Sequence, residues 1–351
     1  MALPQYLCET PEQSNRVFII AGPCAIESEE QINDITYKIG LIKDIAEPYN
    51  INFMCRGGSW KPRTLYRNKQ GEHIFEGLRK KGLRMHVSAA KKRSLPVVTE
   101  LVSERDLRYF KQYLVEKTDF IQVGARTSQA FSLLHAIGET KFSVLLKNPQ
   151  HGVDINEAIG SLQRFENNRT RIYCTRGQKR TIDPSGEENK AYRNYMKDLN
   201  ESTGQHPDSR NLNNIEAIHG LRKNQYFTEN NLQLCHDPSH TWGGKTELIR
   251  RKIGESAIRA LTDYGYDGII VEVDDRSGRA ICDADQAIPI SINGVDWSQT
   301  NYVREPEIPP ITLVEIVSST MDYQVKRLGI ESHNLGRDKK DLESIEWDIQ
   351  V

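Results

Sequence analysis

VFIIAG at residues 17–22 and GIIVEV at residues 268–273 are short runs rich in β-branched residues and apolar on both faces. Runs of this kind are typical of parallel strands whose two faces are both buried. Six more lie between them, namely INFMCR (51–56), PVVTEL (96–101), DFIQVG (119–124), FSVLLK (142–147), RIYCTR (171–176) and LQLCHD (232–237). The sequence therefore predicts eight buried parallel strands.

Segments of helical periodicity separate these runs, such as EEQINDITYKIGLIKDIAEPY after the first and GKTELIRRKIGESAIRALTDYG before the eighth. Eight strand–helix alternations favour an α/β fold of the closed (β/α)8 TIM barrel type over an open doubly wound sheet. No G-x-G-x-x-G follows the first strand and no G-x-x-x-x-G-K-[ST] occurs, so the nucleotide-binding versions of the open sheet lose their main support.

Two stretches do not fit the strand–helix repeat. Residues 183–211 are polar and rich in turn formers, and they fall between the sixth strand and its helix. We expect an enlarged loop there, which acts as a lid or a subunit contact. We therefore expect a catalytic barrel over 1–292, followed over 293–351 by a linker, a helix and a charged tail.

The composition excludes several classes of partner. The 351 residues include 47 Lys and Arg against 48 Asp and Glu, so no overall field would attract nucleic acid or an acidic membrane. No apolar run is long enough to span a bilayer, and the N-terminus lacks the features of a signal peptide, so we expect a cytoplasmic protein. The six cysteines form no C-x-x-C pair, which argues against a closed zinc site and favours buried free thiols for most of them.

The predicted strand ends carry the polar residues on which the functional prediction depends, because catalytic groups of TIM barrels lie at the C-terminal ends of the strands. Taken alone, an Arg or Lys after a strand is more often a solvated charge, but cations at several strand ends would converge on one anion pocket. Arg56, Arg126, Lys147 and Arg176 stand at four strand ends, and Lys61 and Arg63 follow the second strand. Since guanidinium groups match phosphate and carboxylate, we predict a site for two anions and small phosphorylated metabolites as substrates.

A second set of strand-end residues combines a thiol, an imidazole and two carboxylates: Cys24, His240, Glu272 and Asp283. Taken singly, each is more often a buried thiol, a capping histidine or a structural carboxylate. Together, mixed S, N and O donors with an open position suit a divalent Mn, Fe, Co or Zn ion.

The motifs around these residues resemble, in order along the chain, those of one enzyme family. They are AGPC (21–24), KPRT (61–64), IQVGART (121–127), LLKN (145–148), CTRG (174–177), DPSH (237–240), IIVEV (269–273) and the first Asp of ICDADQ. The resemblance is to 3-deoxy-D-arabino-heptulosonate 7-phosphate (DAHP) synthases, the class I family related to 3-deoxy-octulosonate 8-phosphate synthases. It covers about residues 17–290.

The resemblance implies a metal-dependent, aldol-type condensation of phosphoenolpyruvate with erythrose 4-phosphate, the first step of the shikimate pathway to aromatic amino acids. It implies a homo-oligomer, a dimer or tetramer. Lys61, Glu100 and His240 would be catalytic, with Lys61 donating a proton to the new alkoxide and Glu100 positioning or deprotonating water. By matching position, the metal ligands would be Cys24, His240, Glu272 and Asp283; the residues binding phosphoenolpyruvate would be Arg56, Lys61, Arg126, Lys147 and Arg176; and those binding the aldose phosphate would be Arg63 and Thr64.

The sequence departs from the family pattern beside the aldose. After KPRT it reads LYRNKQGEHIFEGL, where the family has a short Ser-Pro-Tyr stretch and a Gly-rich turn. Two alternatives therefore stay open. One is a related 3-deoxy-ulosonate phosphate synthase of a specialised pathway, which uses another aldose phosphate; the other is a non-catalytic barrel that binds phosphorylated metabolites.

Overall fold

A computed structural model describes most of the chain. The described residues are 15–62, 67, 71–152, 154–178, 214–242, 247–274, 281–282, 286–291, 309–331 and 333–345. The predicted insertion at 183–211 and three predicted site residues, Arg63, Thr64 and Asp283, lie outside these ranges.

Eight parallel strands form a closed barrel, in which each strand pairs with the next and β8 pairs with β1. The predicted (β/α)8 TIM barrel is therefore confirmed. The strands are β1 Val17–Gly22, β2 Ile51–Arg56, β3 Val97–Glu100, β4 Phe120–Val123, β5 Ser143–Lys147, β6 Arg171–Arg176, β7 Gln233–Asp237 and β8 Gly268–Glu272. β3, β4, β5 and β7 each begin one residue later than predicted, at Val97, Phe120, Ser143 and Gln233.

Helices follow the strands and pack on the outside of the barrel. The first begins after Ser28, whose hydroxyl accepts a hydrogen bond from the backbone N–H of Gln31 at 3.0 Å and so caps the helix. The described helices are α1 Glu29–Ala46, α2 Arg79–Lys92, α3 Leu107–Tyr113, α4 Phe131–Gly138, α5 Ile155–Gln163, α6 Ile218–Lys223, α7 Gln225–Glu229, α8 Ser239–Trp242, α9 Glu247–Thr262, α10 Leu313–Leu328 and α11 Leu335–Ser344.

The strands bury both faces, as their apolar runs predict. One face fills the barrel interior with a cluster that includes Phe18, Met54 and Phe120, and the other packs against the helices. The described cysteines are free and buried. This was predicted for most of them, whereas Cys24 is a predicted metal ligand. Cys174 and Cys235 lie opposite each other on β6 and β7 inside the barrel, so they serve as small apolar core residues.

The described part of the C-terminal region lies on the barrel. α10 begins with a capping box between Thr312 and Glu315, and it packs against α9 and α1. The Gln324 side chain donates hydrogen bonds to the backbone carbonyls of Asn15 at 3.0 Å and Asn50 at 3.3 Å, just before β1 and β2. α10 therefore occupies the place of the helix between β8 and β1. The domain boundary at 292 stays a prediction.

Across the described ranges, no helix is both long enough and apolar enough to span a bilayer.

We predict that Gly268→Ala destabilises the barrel. A Cβ atom at this position would lie 2.2 Å from the ring of Phe18, which stands opposite Gly268 on β1. Overpacking of a closed core costs ~1–3 kcal/mol, so the thermal unfolding midpoint should fall. Gly160→Ala in α5 is the control, because a Cβ there meets open space and alanine favours helix. Equal midpoints for the two variants would contradict the packing described.

Candidate active site

A row of oppositely charged side chains crosses the C-terminal mouth of the barrel. Arg56 Nη1 lies 2.8 Å from Glu272 Oε1, and that oxygen lies 3.6 Å from His240 Nε2. On the other side of the imidazole, His240 Nδ1 lies 2.8 Å from Asp237 Oδ2, which contacts Lys147 Nζ at 2.5 Å. We call Arg56, Glu272, His240, Asp237 and Lys147 the ion chain.

The barrel itself brings the ion chain together. Arg56, Glu272, Asp237 and Lys147 are the last residues of β2, β8, β7 and β5, and the ends of parallel strands meet at one mouth. His240 lies in α8, directly after β7, where its backbone N–H donates to Asp237 Oδ1 at 3.1 Å. The Ser239 hydroxyl accepts a hydrogen bond from the backbone N–H of Glu272 at 3.0 Å, which joins α8 to β8.

The four charged strand-end residues of the ion chain are buried, with exposures between 0% and 4%. Buried charges are stable only when they are paired. Burial acts to raise the pKa of Asp237, but the neighbouring His240 and Lys147 outweigh it and hold this pKa well below its usual range. Burial also acts to lower the pKa of Arg56, yet Glu272 and other acidic neighbours outweigh it, so this pKa rises. Both groups are therefore charged at neutral pH.

His240 is set up as a neutral imidazole. Burial lowers its pKa, although Asp237 and Glu272 act in the opposite direction. Because the Asp237 carboxylate faces Nδ1, the single ring proton belongs on Nδ1, and the lone pair of Nε2 points to the side of Glu272. A histidine oriented by a carboxylate in this way is typical of a metal ligand.

Cys24 and Lys61 lie next to each other at the same mouth. The Lys61 ammonium donates a hydrogen bond to the backbone carbonyl of Cys24 at 3.1 Å, and the Cys24 thiol lies 2.9 Å from that of Cys282. The hydrogen bond with Cys282, burial and the charge of Glu272 all raise the pKa of Cys24. Burial acts to lower the pKa of Lys61, but neighbouring acidic groups, Cys24 first among them, outweigh it and raise this pKa. Lys61 is therefore protonated at neutral pH.

The predicted metal ligands fit a divalent ion by their chemistry. A thiol, an oriented imidazole nitrogen and a carboxylate are the donors of open transition-metal sites. Among the residues that the structure describes, no group of three or more ligands stands close enough together to hold a metal. The predicted fourth ligand, Asp283, lies outside the described residues.

The predicted phosphate-binding cations divide into two kinds. Lys147 and Arg176 are buried at the ends of β5 and β6, and Arg176 Nη2 lies 3.5 Å from the backbone carbonyl of His240. The Asn148 side chain joins these two strand ends, because it accepts from the backbone N–H of Arg176 at 2.7 Å and donates to its carbonyl at 3.2 Å. Arg126 is exposed in the turn after β4, and its side chain has no hydrogen bond or ion pair within the described ranges.

Residues 12–304 match the model of the family described as the DAHP synthetase I family. The chain belongs to this family. Members of the DAHP synthetase I family use a divalent metal ion.

Two relatives are similar over 78% of this chain. A phospho-2-dehydro-3-deoxyheptonate aldolase of Thermotoga maritima is 32% identical over 276 residues, which cover 78% of this chain and 66% of the relative. A 2-dehydro-3-deoxyphosphooctonate aldolase of Verminephrobacter eiseniae is 23% identical over 286 residues, covering 78% of this chain and 86% of the relative. The chain thus matches just under two thirds of the length of the first of these relatives.

Two solved structures from Thermotoga maritima are also similar. A crystal structure of phospho-2-dehydro-3-deoxyheptonate aldolase (DAHP synthase) has a TM-score of 0.61 at 27% identity, covering 90% of this chain and 70% of that one. A truncated form of 3-deoxy-D-arabino-heptulosonate 7-phosphate synthase has a TM-score of 0.59 at 25% identity, covering 90% and 88%. The barrel is therefore the fold of DAHP synthase.

The sequence analysis missed three residues of this DAHP synthetase I site: Asp237, Asn148 and Cys282. Each stands directly beside a predicted site residue or within its motif, in DPSH, LLKN and ICDADQ. Their position next to predicted site residues was the signal in the sequence that could have indicated them. The contacts that give these residues their roles run between strands and cannot be read from one segment.

The predicted catalytic residue Glu100 ends β3 and is buried against Gly124, which directly follows β4. We predict that Gly124→Ala lowers turnover, because a Cβ atom there would lie 1.8 Å from Glu100 Oε1 and displace the carboxylate. A displacement of about 1 Å in a catalytic group costs about 100-fold in rate.

The measurement is kcat of the purified variant, with circular dichroism to check folding. Gly220→Ala in α6 is the control, because its Cβ would meet open space far along the chain from these strand ends. Unchanged kcat in folded Gly124→Ala would contradict a catalytic role for Glu100.

Proposed function

We propose that this chain catalyses the condensation of phosphoenolpyruvate with erythrose 4-phosphate, which gives 3-deoxy-D-arabino-heptulosonate 7-phosphate and inorganic phosphate. It would thus be a transferase of the first step of aromatic amino acid biosynthesis. The observation that carries the proposal is the ion chain, which places a cation on either side of an oriented histidine at the barrel mouth. The family and the printed names of the Thermotoga relatives support it.

Phosphoenolpyruvate carries a phosphate and a carboxylate, and the mouth offers cations for both. Lys147 and Arg176 lie on neighbouring strands on one side of His240, and we assign them to the phosphate. Arg126, with its exposed side chain, would reach the same phosphate from the turn after β4. Arg56 and Lys61 lie on the side of Glu272 and Cys24 and would bind the rest of the substrate. Charge-assisted contacts of this kind orient an anion as well as bind it.

Cys24, His240, Glu272 and Asp283 would hold the divalent metal, with Mn, Fe, Co and Zn as the candidates. When bound, the ion would polarise the aldehyde carbonyl of the aldose. We assign Asp237 an indirect role in metal binding. It would keep the His240 proton on Nδ1, so that Nε2 is free to act as a metal ligand. Cys24 must lose its proton to bind, since only the thiolate is a ligand.

Acid–base catalysis would rest on Lys61 and Glu100. The enol carbon of phosphoenolpyruvate forms a bond to the aldehyde carbon, and the alkoxide that results takes a proton from Lys61, which is charged at neutral pH. Water, oriented by the buried Glu100 carboxylate, then adds to the neighbouring cationic carbon and gives up a proton to that carboxylate. The new hydroxyl group collapses to the ketone as the C–O bond to phosphate breaks, and its proton leaves with the phosphate. Both groups stand at the same barrel mouth, and the charge of Glu100 acts on Lys61.

A different aldose phosphate is the second candidate substrate. The Verminephrobacter relative is named a 2-dehydro-3-deoxyphosphooctonate aldolase and aligns over 78% of this chain. Arg63 and Thr64, the residues proposed for the aldose phosphate, lie outside the described residues. KPRT favours erythrose 4-phosphate through its resemblance to the heptulosonate enzymes. The homo-oligomer and the cytoplasmic location stay predictions.

The first prediction from this proposal concerns the aldose. Protein loaded with Mn²⁺ should release phosphate from phosphoenolpyruvate with erythrose 4-phosphate faster than with arabinose 5-phosphate or ribose 5-phosphate. Steady-state phosphate release with each aldose is the measurement, and the reaction without aldose is the blank. A clear preference for a five-carbon aldose would support the second candidate, and no release with any aldose would favour a non-catalytic barrel.

A second prediction tests the phosphate pocket. Arg176→Ala should weaken phosphoenolpyruvate binding about ten- to a hundredfold, because a charge-assisted hydrogen bond contributes ~1.5–3 kcal/mol. Titration calorimetry with phosphoenolpyruvate measures the effect. Arg171→Ala is the matched control: Arg171 begins the same strand, at the opposite end of the barrel, and bonds to Tyr226 and Asn230. Equal affinities for the two variants would place the phosphate elsewhere.

A further inference from the structure

The Asp237 carboxylate touches a residue from each half of the proposed site. Its Oδ2 atom lies 2.8 Å from Nδ1 of His240, a predicted metal ligand, and 2.5 Å from Nζ of Lys147, a predicted phosphate cation. Its Oδ1 atom accepts a hydrogen bond from the backbone N–H of His240. Asp237 itself is fully buried. The two halves of the site therefore share one carboxylate.

We propose that Asp237 is a positioning residue that couples the metal half of the site to the phosphate half, an inference that rests on the proposed function. Asp237 touches neither substrate nor metal in this proposal. It acts through His240 and Lys147, and its effect is that each ligand strengthens the binding of the other.

On the metal side, Asp237 fixes both the place and the tautomer of His240. The hydrogen bond to the backbone holds the first turn of α8, and the bond to Nδ1 holds the ring. With the proton on Nδ1, Nε2 faces Glu272 Oε1 across 3.6 Å, which puts two predicted ligands side by side. An oriented carboxylate behind a ligating histidine typically contributes 10- to 100-fold to metal affinity.

On the phosphate side, Asp237 compensates the Lys147 charge when no substrate is bound. Lys147 is 4% exposed, so an unpaired ammonium there would be costly. The contact also holds the ammonium at the end of β5, close to Asn148 and Arg176. A phosphate dianion that arrives at this point shares the ammonium with the carboxylate.

The coupling follows from the movement of charge along this contact. A cation on Nε2 makes the Nδ1–H of His240 a stronger donor, which draws the negative charge of Asp237 toward the imidazole. The Lys147 ammonium is then less neutralised and attracts the phosphate more strongly. Because coupling between two binding sites is reciprocal, phosphoenolpyruvate must tighten metal binding by the same factor. Typical couplings correspond to about fivefold or more.

Asp267 provides a matched control at the other end of the barrel. It is a buried aspartate that contacts one cation, Arg222, at 2.7 Å, and one backbone N–H, that of Leu234, also at 2.7 Å. Asp267→Asn thus removes another ion pair of a buried aspartate, whose partner Arg222 is 36% exposed. An effect on stability alone should lower the unfolding midpoint of both variants, whereas coupling should change in Asp237→Asn alone.

The experiment measures binding rather than turnover. Co²⁺ affinity is measured by equilibrium dialysis with elemental analysis, and phosphoenolpyruvate affinity by titration calorimetry on full-length protein that is metal-free or loaded with one equivalent of Co²⁺. In the unmodified protein, Co²⁺ should tighten phosphoenolpyruvate binding about fivefold or more.

Asp237→Asn should weaken Co²⁺ binding about 10- to 100-fold and reduce the coupling to below about twofold. Lys147→Met should weaken phosphoenolpyruvate binding and also lose the coupling, while Co²⁺ affinity stays within about threefold.

Two results would overturn the inference. One is Co²⁺ affinity in Asp237→Asn within about twofold of the unmodified protein, and the other is full coupling in that variant. If Asp237→Asn does not fold, Asp237→Glu keeps the charge and should show intermediate Co²⁺ affinity and coupling. Unchanged affinity and coupling in Asp237→Glu would equally overturn the inference.

Failure of the proposed function gives a different pattern. The unmodified protein would then release no phosphate with any aldose, while its metal and phosphoenolpyruvate affinities still showed coupling.

Discussion

The compensation of charge in the barrel mouth is the constraint on which the rest of the site depends. Arg56, Glu272, Asp237 and Lys147 are nearly inaccessible to water, and each is stable there because an opposite charge or the His240 ring stands against it. The order of charge along the row is positive, negative, neutral, negative, positive. Replacement of one member therefore alters the electrostatic environment of its neighbours, and this is how the proposed coupling would link substrate binding to metal binding.

Much of the fold could be predicted from the sequence because the strands are buried on both faces. Runs such as VFIIAG and GIIVEV need no partner to be recognised, and eight of them separated by helices leave few alternatives to a closed barrel. Many of the site residues could be predicted from the strand ends, because the barrel brings every C-terminal strand end to one mouth. The exact strand starts could not be predicted, because β3, β4, β5 and β7 each begin one residue later than the apolar pattern indicates.

The contacts that organise the site could not be predicted in the same way. Lys147 and Asp237 are 90 residues apart and belong to β5 and β7, which are not neighbours in the barrel. Their contact depends on which side chains point inward at a common height, a property of the closed sheet. Asp237 alone resembles an ordinary aspartate before Pro238 and a helix start. The proposed aldose residues Arg63 and Thr64 rest on resemblance, because KPRT is matched by position alone.

The tie between Gln324 and the carbonyls of Asn15 and Asn50 has a consequence for synthesis on the ribosome. β1 is made first and its partner β8 last, some 250 residues later, and α10 follows β8. Until β8 is made, the edge of β1 that later pairs with β8 stays unpaired. An unpaired strand edge is the kind of surface that recruits other chains. Contacts between strands so distant in sequence slow the folding of a domain. α10 thus adds its hydrogen bonds to the starts of β1 and β2 only after all eight strands have been made.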